Sequence, residues 1–188
     1  MTRTINPATV ERAYKEDQSA LEELIGGVWP HAYRIAVAIV RDRTLAEDVA
    51  QEACASIARG LSALRDLRTF EGWWRRIVGN KAVDAARRRS DLASIDSLSQ
   101  VPIASDDAQL IDLHAAIIAL PLTQRVAVVL HYYAGLTSSE IAAAVGQPSA
   151  TVRFHLMLAR RTLRARLDVG AADETRATTK REMTSHAR

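Results

Sequence analysis

The stretch Thr137-Ser138-Ser139-Glu140-Ile141-Ala142-Ala143-Ala144-Val145-Gly146-Gln147-Pro148-Ser149 decides the fold of this chain. Thr137 and Glu140 have capping-box spacing: the hydroxyl accepts from the Glu140 amide while the carboxylate reaches back to the Thr137 amide. A short helix then ends at Gly146. Gln147-Pro148 makes a turn, and Ser149 caps a long helix that continues through Leu167. Short helix, glycine turn and a second helix with a polar leading edge describe a helix-turn-helix. A helix fits the major groove, and its first turns present side chains to base edges. Here those side chains are Ser149, Thr151, Arg153, Phe154 and His155. Arg153 can contact guanine bidentately, and Phe154 can pack on a thymine methyl. Arg160 lies further along, where phosphate is the nearer target. The plainer alternative is a helical hairpin with a solvated arginine face.

Upstream of this motif, helical patterning covers Leu110 to Leu120 and stops at Pro121. It resumes from Thr123 to Tyr133, with Val126, Val129, Leu130 and Tyr133 on one side, and ends at Gly135. Residues 90–109 mix Ser, Asp and Pro without a sustained period and read as a flexible linker. Residues 169–188 carry balanced charge and little apolar content, which points to a disordered tail.

The N-terminal half is patterned as helices as well. Asn6-Pro7 reads as an N-cap followed by proline at the first helical position. From Ser19, the residues Leu21, Leu24, Ile25, Val28, Ala32, Ile35, Ala36 and Ile39 form a buried stripe. Pro30 predicts a kink within it. Thr44 and Glu47 have capping-box spacing for a helix that buries Val49, Ala53, Ile57 and Leu61 and shows Glu47, Asp48, Gln51 and Glu52 outward. Residues 60–69 are irregular. Thr69 can cap a helix from Phe70 to Arg89, with Phe70, Trp73, Trp74, Ile77 and Val78 on its apolar side. Arg76, Asn80, Lys81, Arg87 and Arg88 cluster towards the other.

The 188 residues are 48% hydrophobic and 25% charged, ordinary values for a globular protein. Aromatics are few, and Ala and Arg dominate, so the chain reads as all-α. The net charge of +3 conceals a strong pattern. Residues 67–89 carry Arg68, Arg75, Arg76, Lys81, Arg87, Arg88 and Arg89 against Glu71 and Asp84. Residues 115–167 carry six arginines against Glu140. Residues 90–114 carry five aspartates and no Lys or Arg. Two basic lobes on an acidic tether suggest two grips on nucleic acid. In the first lobe, aromatic and basic residues interleave, as single-stranded DNA requires for stacking and phosphate neutralisation. The alternative is a set of core aromatics beside a solvated face. Cys54 reads as a small core hydrophobe. No phosphate loop, metal spacing or catalytic constellation is found, so neither cofactor nor enzymatic activity is expected. The N-terminus lacks a signal-peptide pattern and no run can span a bilayer, so a cytoplasmic location without membrane insertion is expected.

Ala46-Glu47-Asp48-Val49-Ala50-Gln51-Glu52 resembles the conserved-region 2 motif of bacterial sigma factors of the extracytoplasmic-function group. Phe70, Trp73, Ile77, Asn80, Asp84 and Arg87 resemble that family's F-x-x-W…I-x-x-N…D-x-x-R pattern. Leu120-Pro121, Glu140-Ile141-Ala142 and Thr151-Val152-Arg153…Ala159-Arg160 resemble its region 4. The resemblance covers roughly residues 19–167.

The resemblance implies two small helical domains joined by a flexible acidic linker. Residues 1–89 would form a region 2-like domain, 90–109 the linker and 110–168 a region 4-like domain. Asp48, Gln51 and Glu52 would dock on the β′ clamp helices of core RNA polymerase, and region 4 would meet the β flap. Arg65, Asp66, Arg68, Thr69, Trp73, Arg76, Asn80, Lys81, Arg87 and Arg88 would capture and melt the minus-10 promoter element, with a base flipped into a pocket shaped by the 60–69 loop. Ser149, Thr151, Arg153, Phe154, His155 and Arg160 would hold the minus-35 element as duplex. An anti-sigma factor is a further partner that the family often uses. His155, Leu158 and Phe154 depart from the family's usual pattern in the recognition helix. The competing function is a stand-alone helix-turn-helix regulator, which has no need for the acidic Asp48 and Glu52 face.

Overall fold

The computed structural model describes residues 5–92 and 108–185, with side chains over 5–89 and 113–167. Eight helices follow in order: α1 (Pro7–Tyr14), α2 (Gln18–Val40), α3 (Arg43–Gly60), α4 (Phe70–Leu92), α5 (Ala108–Ile118), α6 (Leu122–Val128), α7 (Ser138–Val145) and α8 (Ser149–Ser185). Of the expected linker, 90–109, residues 93–107 lie outside the described residues, while 90–92 continue α4 and 108–109 begin α5, so the helices reach further into it than expected. The described residues contain no strand.

Helix starts follow local chemistry. Asn6 accepts from the Ala8 amide, with Pro7 at the first helical position where its missing N–H costs nothing. Asp17 caps α2 by accepting from the Ala20 amide, so the helix begins at Gln18, one position ahead of the expected Ser19 start. Helix α2 runs through Pro30 as one helix. Gly26, whose carbonyl lacks the proline's amide, is exposed, so water can serve it. The stripe Ala20, Leu24, Val28, Ala32, Ile35, Ala36 and Ile39 is buried without a break across the proline.

The cap of α3 differs from the expectation. Asp42, not Thr44, accepts from the Leu45 amide, because a carboxylate two residues earlier already meets the orphan donors of the first turn. Thr69 likewise does not cap α4. Its hydroxyl donates to the Asp66 carbonyl, and Asp66 accepts from the Arg68 amide at the start of a 3-10 turn, Leu67–Thr69. The irregular stretch before α4 is thus two 3-10 turns, Leu61–Ala63 and Leu67–Thr69.

In the C-terminal half the capping box forms in full. Glu140 accepts from the Thr137 amide at 2.8 Å, and Thr137 accepts from the Glu140 amide at 3.2 Å. Gly146 closes α7 with φ +64°, a left-handed position that glycine adopts without strain. Helix α6 gives way to a π-turn, Val129–Tyr133, which rotates the register. Val126, Val129 and Leu130 are buried as expected, but the turn leaves Tyr133 exposed. Ser149 begins α8 rather than capping it; the Thr151 and Val152 amides donate to the Pro148 carbonyl instead. Backbone helix continues to Ser185, through the stretch expected to be disordered. Its composition of Ala, Arg, Glu and Lys supports helix even with little apolar content.

Helices α2, α3 and α4 pack on one another and carry α1, while α5 to α7 pack around α8. The two groups share one continuous apolar cluster. Trp74, 1% exposed, is among the largest side chains in it, whereas its neighbour Trp73 is only half-buried. Cys54 is a buried free thiol, pushed up to about 11 by burial, as suits a core residue.

Two stability measurements test this packing. Trp74→Ala is expected to cost about 3–5 kcal/mol by urea unfolding, and Trp73→Ala clearly less. Thr137→Ala is expected to cost about 1 kcal/mol at neutral pH. The Glu140 carboxyl is held below its ordinary 4.5 by the Thr137 amide, then by the Thr137 hydroxyl. Its contribution is therefore complete above pH 4.5 and lost as pH falls through the lower folded value. A Glu140→Gln variant should show a flatter acid limb in the same assay.

Candidate nucleic-acid interface

Three surfaces and a loop gather the residues singled out by sequence. The first surface is the outer ridge of α3. Its periodicity sends Val49, Ala53 and Ile57 inward, which leaves Glu47, Asp48, Gln51 and Glu52 exposed on the opposite side. Glu52 Oε1 accepts from Lys81 Nζ at 2.8 Å, joining this ridge to α4. The hydrogen bond and charge of Lys81, then Arg88 and Arg59, hold the Glu52 carboxyl below its ordinary range.

The loop before α4 is organised by Asp66. Its carboxylate accepts from the Arg68 backbone amide at 2.9 Å and from Nη2 of the same guanidinium at 3.0 Å. That bond, more than the charge, holds Asp66 below the usual carboxylate range. Arg65 projects to solvent. The Trp73 ring lies over Gly60, where an added Cβ would sit 3.0 Å from Cζ2, so glycine permits this contact between loop and helix. Only Trp73 of the tryptophan pair has exposed ring surface to offer a base. Trp74 is committed to the core.

The second surface is the outer face of α4, defined by positions 72, 76, 79, 80, 83 and 87. In this structure the helix-turn-helix lobe packs against its middle, burying Gly79 and Val83 while Asn80 and Arg87 stay exposed. Arg87 Nη2 donates to the Val145 carbonyl at 3.0 Å. In the amide orientation that satisfies both neighbouring carbonyls, Asn80 donates to Ala144 at 3.0 Å and to Arg76 at 3.1 Å. An added Cβ at Gly79 would meet Leu130 Cδ2 at 2.9 Å, and one at Gly72 would meet the Glu140 carboxylate at 3.4 Å. Arg76 is half-buried beside Glu140 and contributes to lowering its pKa, while Arg88 remains exposed.

On α8, Arg153 and Phe154 are exposed, and Arg153 Nη1 donates to Ser149 Oγ at 3.3 Å. Thr151 is half-buried. His155 does not share their outward aspect: it lines a cavity of about 40 Å³ at the seam with α4, together with Val83 and Arg87. Arg160 donates to the Tyr132 hydroxyl at 2.6 Å and lies over its ring, 5.5 Å from the centroid. It is a tethered cation rather than a freely reaching one.

Sequence reading missed Arg125, counted there only as part of a basic lobe. It is buried, 7% exposed, and its guanidinium donates to the carbonyls of Ile39, Ile118 and Leu120. Burial, then the nearby Arg41, lowers its pKa to about 10, so it stays charged at neutral pH. The available signal was one arginine inside an apolar run, Val126 to Leu130 following it directly.

Among the described residues, no group of three His, Cys, Asp or Glu side chains can hold a metal ion, and no helix is long and apolar enough to cross a membrane.

Comparison with known proteins places two family models on this architecture. Sigma-70 region 2 matches residues 12–91, and sigma-70 region 4 matches residues 110–163. The extracytoplasmic-function (ECF) RNA polymerase sigma factor SigE of Mycolicibacterium smegmatis is 33% identical over 162 residues, covering 79% of this chain and 63% of that relative. ECF RNA polymerase sigma factor ShbA of Streptomyces griseus is 30% identical over 182 residues, covering 86% of this chain and 95% of ShbA. Among solved structures, the sigma factor RpoE of Bartonella quintana, crystallised with the anti-sigma factor NepR, has a TM-score of 0.60. It is 24% identical, covering 76% of this chain and 92% of RpoE, and shares the fold.

The Glu52–Lys81 pair is open to solvent on the Glu52 side, whose side chain is 61% exposed against 23% for Lys81. A double-mutant cycle with Glu52→Ala and Lys81→Ala is expected to give a coupling below about 1 kcal/mol, which would leave both side chains available to partners. A larger coupling would mean the pair is a structural fixture.

Proposed function

Since this chain belongs to the ECF RNA polymerase sigma factors, we infer that it is an alternative sigma factor that binds core RNA polymerase and directs promoter-specific transcription initiation. The observation that carries this reading is the order of its parts: a region 2 match on α1–α4, with an exposed acidic ridge, followed by a region 4 match on a helix-turn-helix. A stand-alone regulator has no use for the first of these.

The division of labour follows from chemistry. Asp48, Gln51 and Glu52 form an acidic, polar ridge suited to a basic partner, here the β′ clamp helices. The 61–69 loop and α4 supply what a melted minus-10 strand needs: the Trp73 ring for stacking and Arg65, Arg68, Arg76, Lys81, Arg87 and Arg88 for phosphates. Asp66 and Thr69 fix the loop, and Asn80 offers an amide to a base edge. A flipped base costs a few kcal/mol of unstacking, which such contacts offset. On α8, Arg153 and Phe154 are the readers of the minus-35 duplex, with Ser149, Thr151, His155 and Arg160 around them. The helix-turn-helix lobe would also meet the β flap. Residues 1–89 and 110–168 act as the two functional domains, and 90–109 as their tether. The protein binds and positions; the polymerase supplies the chemistry, and the work is done in the cytoplasm. An anti-sigma factor is proposed as a regulator, by analogy with RpoE and its partner NepR.

Run-off transcription by bacterial core polymerase on genomic fragments tests this. Specific transcripts are expected with the wild type and not with Asp48→Arg/Glu52→Arg. Transcripts from both would move the docking face elsewhere, and none from either, with duplex binding retained, would favour a plain regulator. Arg153→Ala is expected to weaken upstream-element binding by about 1–3 kcal/mol, measured by competition with duplex promoter DNA, while core affinity is unchanged.

A further inference from the structure

We propose that the groove between α1 and the middle of α2 is a docking site for a helical segment of a partner protein. That segment carries a cation at one end, small residues at its centre and a carboxylate three turns further on. The groove is a cavity of about 470 Å³, lined by Thr9 of α1 and, along α2, by Glu23, Gly26, Gly27, Pro30 and Arg34. Its size is that of a ligand-holding cleft. None of the residues proposed to meet polymerase, the melted strand or the duplex lines it. The site therefore stands apart from those surfaces and can be filled alongside them.

Charge defines the two ends. Glu23 and Arg34 are eleven residues apart, three turns of helix and about 16 Å. They share one face, with Gly26, Gly27 and Pro30 between them. Glu23 Oε1 accepts from Thr9 Oγ1 at 3.1 Å, which ties α1 to α2. Its other carboxylate oxygen lies 3.9 Å from Arg12 Nη1, and the Glu23 side chain remains 61% exposed. Glu22, exposed one residue earlier, adds a second carboxylate at this end. At the opposite end Arg34 is exposed and makes no hydrogen bond or ion pair among the described residues. A polyanion does not suit a groove with two carboxylates at one end and a single guanidinium at the other. A helix with the opposite charges in complementary order does.

The floor between those ends is bare backbone. Gly and Pro are the residues least favourable inside a helix, and α2 gathers three of them on this exposed face. Other helical glycines have a neighbour to accommodate. An added Cβ would meet Trp73 at 3.0 Å from Gly60, Glu140 at 3.4 Å from Gly72 and Leu130 at 2.9 Å from Gly79. At Gly26 and Gly27 it would meet nothing within 4 Å. The core does not need the gap, since Ala20, Leu24, Val28, Ala32 and Ile35 pack without a break on the other side of the helix. Bare backbone permits close approach of another element. Pro30 has no N–H for the Gly26 carbonyl, so the floor also presents an acceptor for a polar side chain of the partner.

The test selects binders to the full chain from a displayed library of helical peptides about fifteen residues long, enough to cover three turns with a margin. Enriched sequences are expected to carry Lys or Arg and Asp or Glu about eleven positions apart, with Ala, Gly or Ser between them. One such peptide, labelled with fluorescein, is then titrated with wild-type, Gly27→Leu and Arg34→Glu chains and followed by anisotropy. Gly27→Leu fills open space and improves helix propensity, so the chain should melt no lower than the wild type while its affinity for the peptide falls at least about tenfold. Arg34→Glu should also lose affinity, and regain it for a peptide whose acidic residue is replaced by Lys. That charge swap decides the case should Gly27→Leu lose helix content by circular dichroism.

No enriched peptide, or enriched peptides without this charge order, would overturn the proposal. So would an affinity that a folded variant leaves unchanged. Binding that appears only when residues 2–4 are removed would give the groove to the chain's own N-terminus and overturn the proposal as well.

Discussion

Every helix ends with carbonyls that its own backbone cannot satisfy, and this molecule meets that constraint with side chains borrowed from elsewhere in the chain. Arg125 is the central case. Its guanidinium is taken out of water without a carboxylate partner in contact among the described residues, which is ordinarily costly. Four hydrogen bonds to carbonyls of Ile39, Ile118 and Leu120 compensate, and the ends of α2 and α5 supply favourable dipoles. Arg89 serves the Val40 carbonyl in the same way, at 3.3 Å. The position of α5 and α6 against α2 depends on these bonds, and the helix-turn-helix follows.

Helix α4 is the element where the demands of folding and of function meet. One side, with Trp74, Val78 and Ala82, belongs to the core. The outer side carries Gly79, which permits close approach of Leu130, beside the polar groups proposed to meet a nucleic acid. A side chain that can donate to a phosphate or a base can donate equally well to an orphan carbonyl.

Much of this was legible in the sequence because it is local. The Thr137–Glu140 capping box, Gly146 at positive φ, Asn6-Pro7 and the buried stripe of α2 all depend on residues within a turn or two of one another. The exposed ridge of Asp48, Gln51 and Glu52 follows from helical period alone. Misreadings arose where two local solutions compete. Asp42 and Thr44 are both capping residues, and the carboxylate two positions earlier won. Asp66 caps a 3-10 turn ahead of α4, and the Thr69 hydroxyl donates to its carbonyl instead of capping the helix. Tyr133 was placed inward by a 3.6-residue period that the π-turn breaks.

Pattern and charge alone determined an all-helical chain with a helix-turn-helix behind an aromatic, basic helix, and they located the polar residues on helix faces. They could not determine which faces meet. A buried Arg125, the Gly79–Leu130 contact, the turn of His155 towards the seam and the pairing of Arg87 with Val145 each join positions from distant parts of the chain. Hydrogen bonds between such positions carry no periodic signature, and an arginine that caps a helix reads in sequence like one that binds phosphate. The tertiary structure decided between them because only there does each guanidinium have a definite set of acceptors.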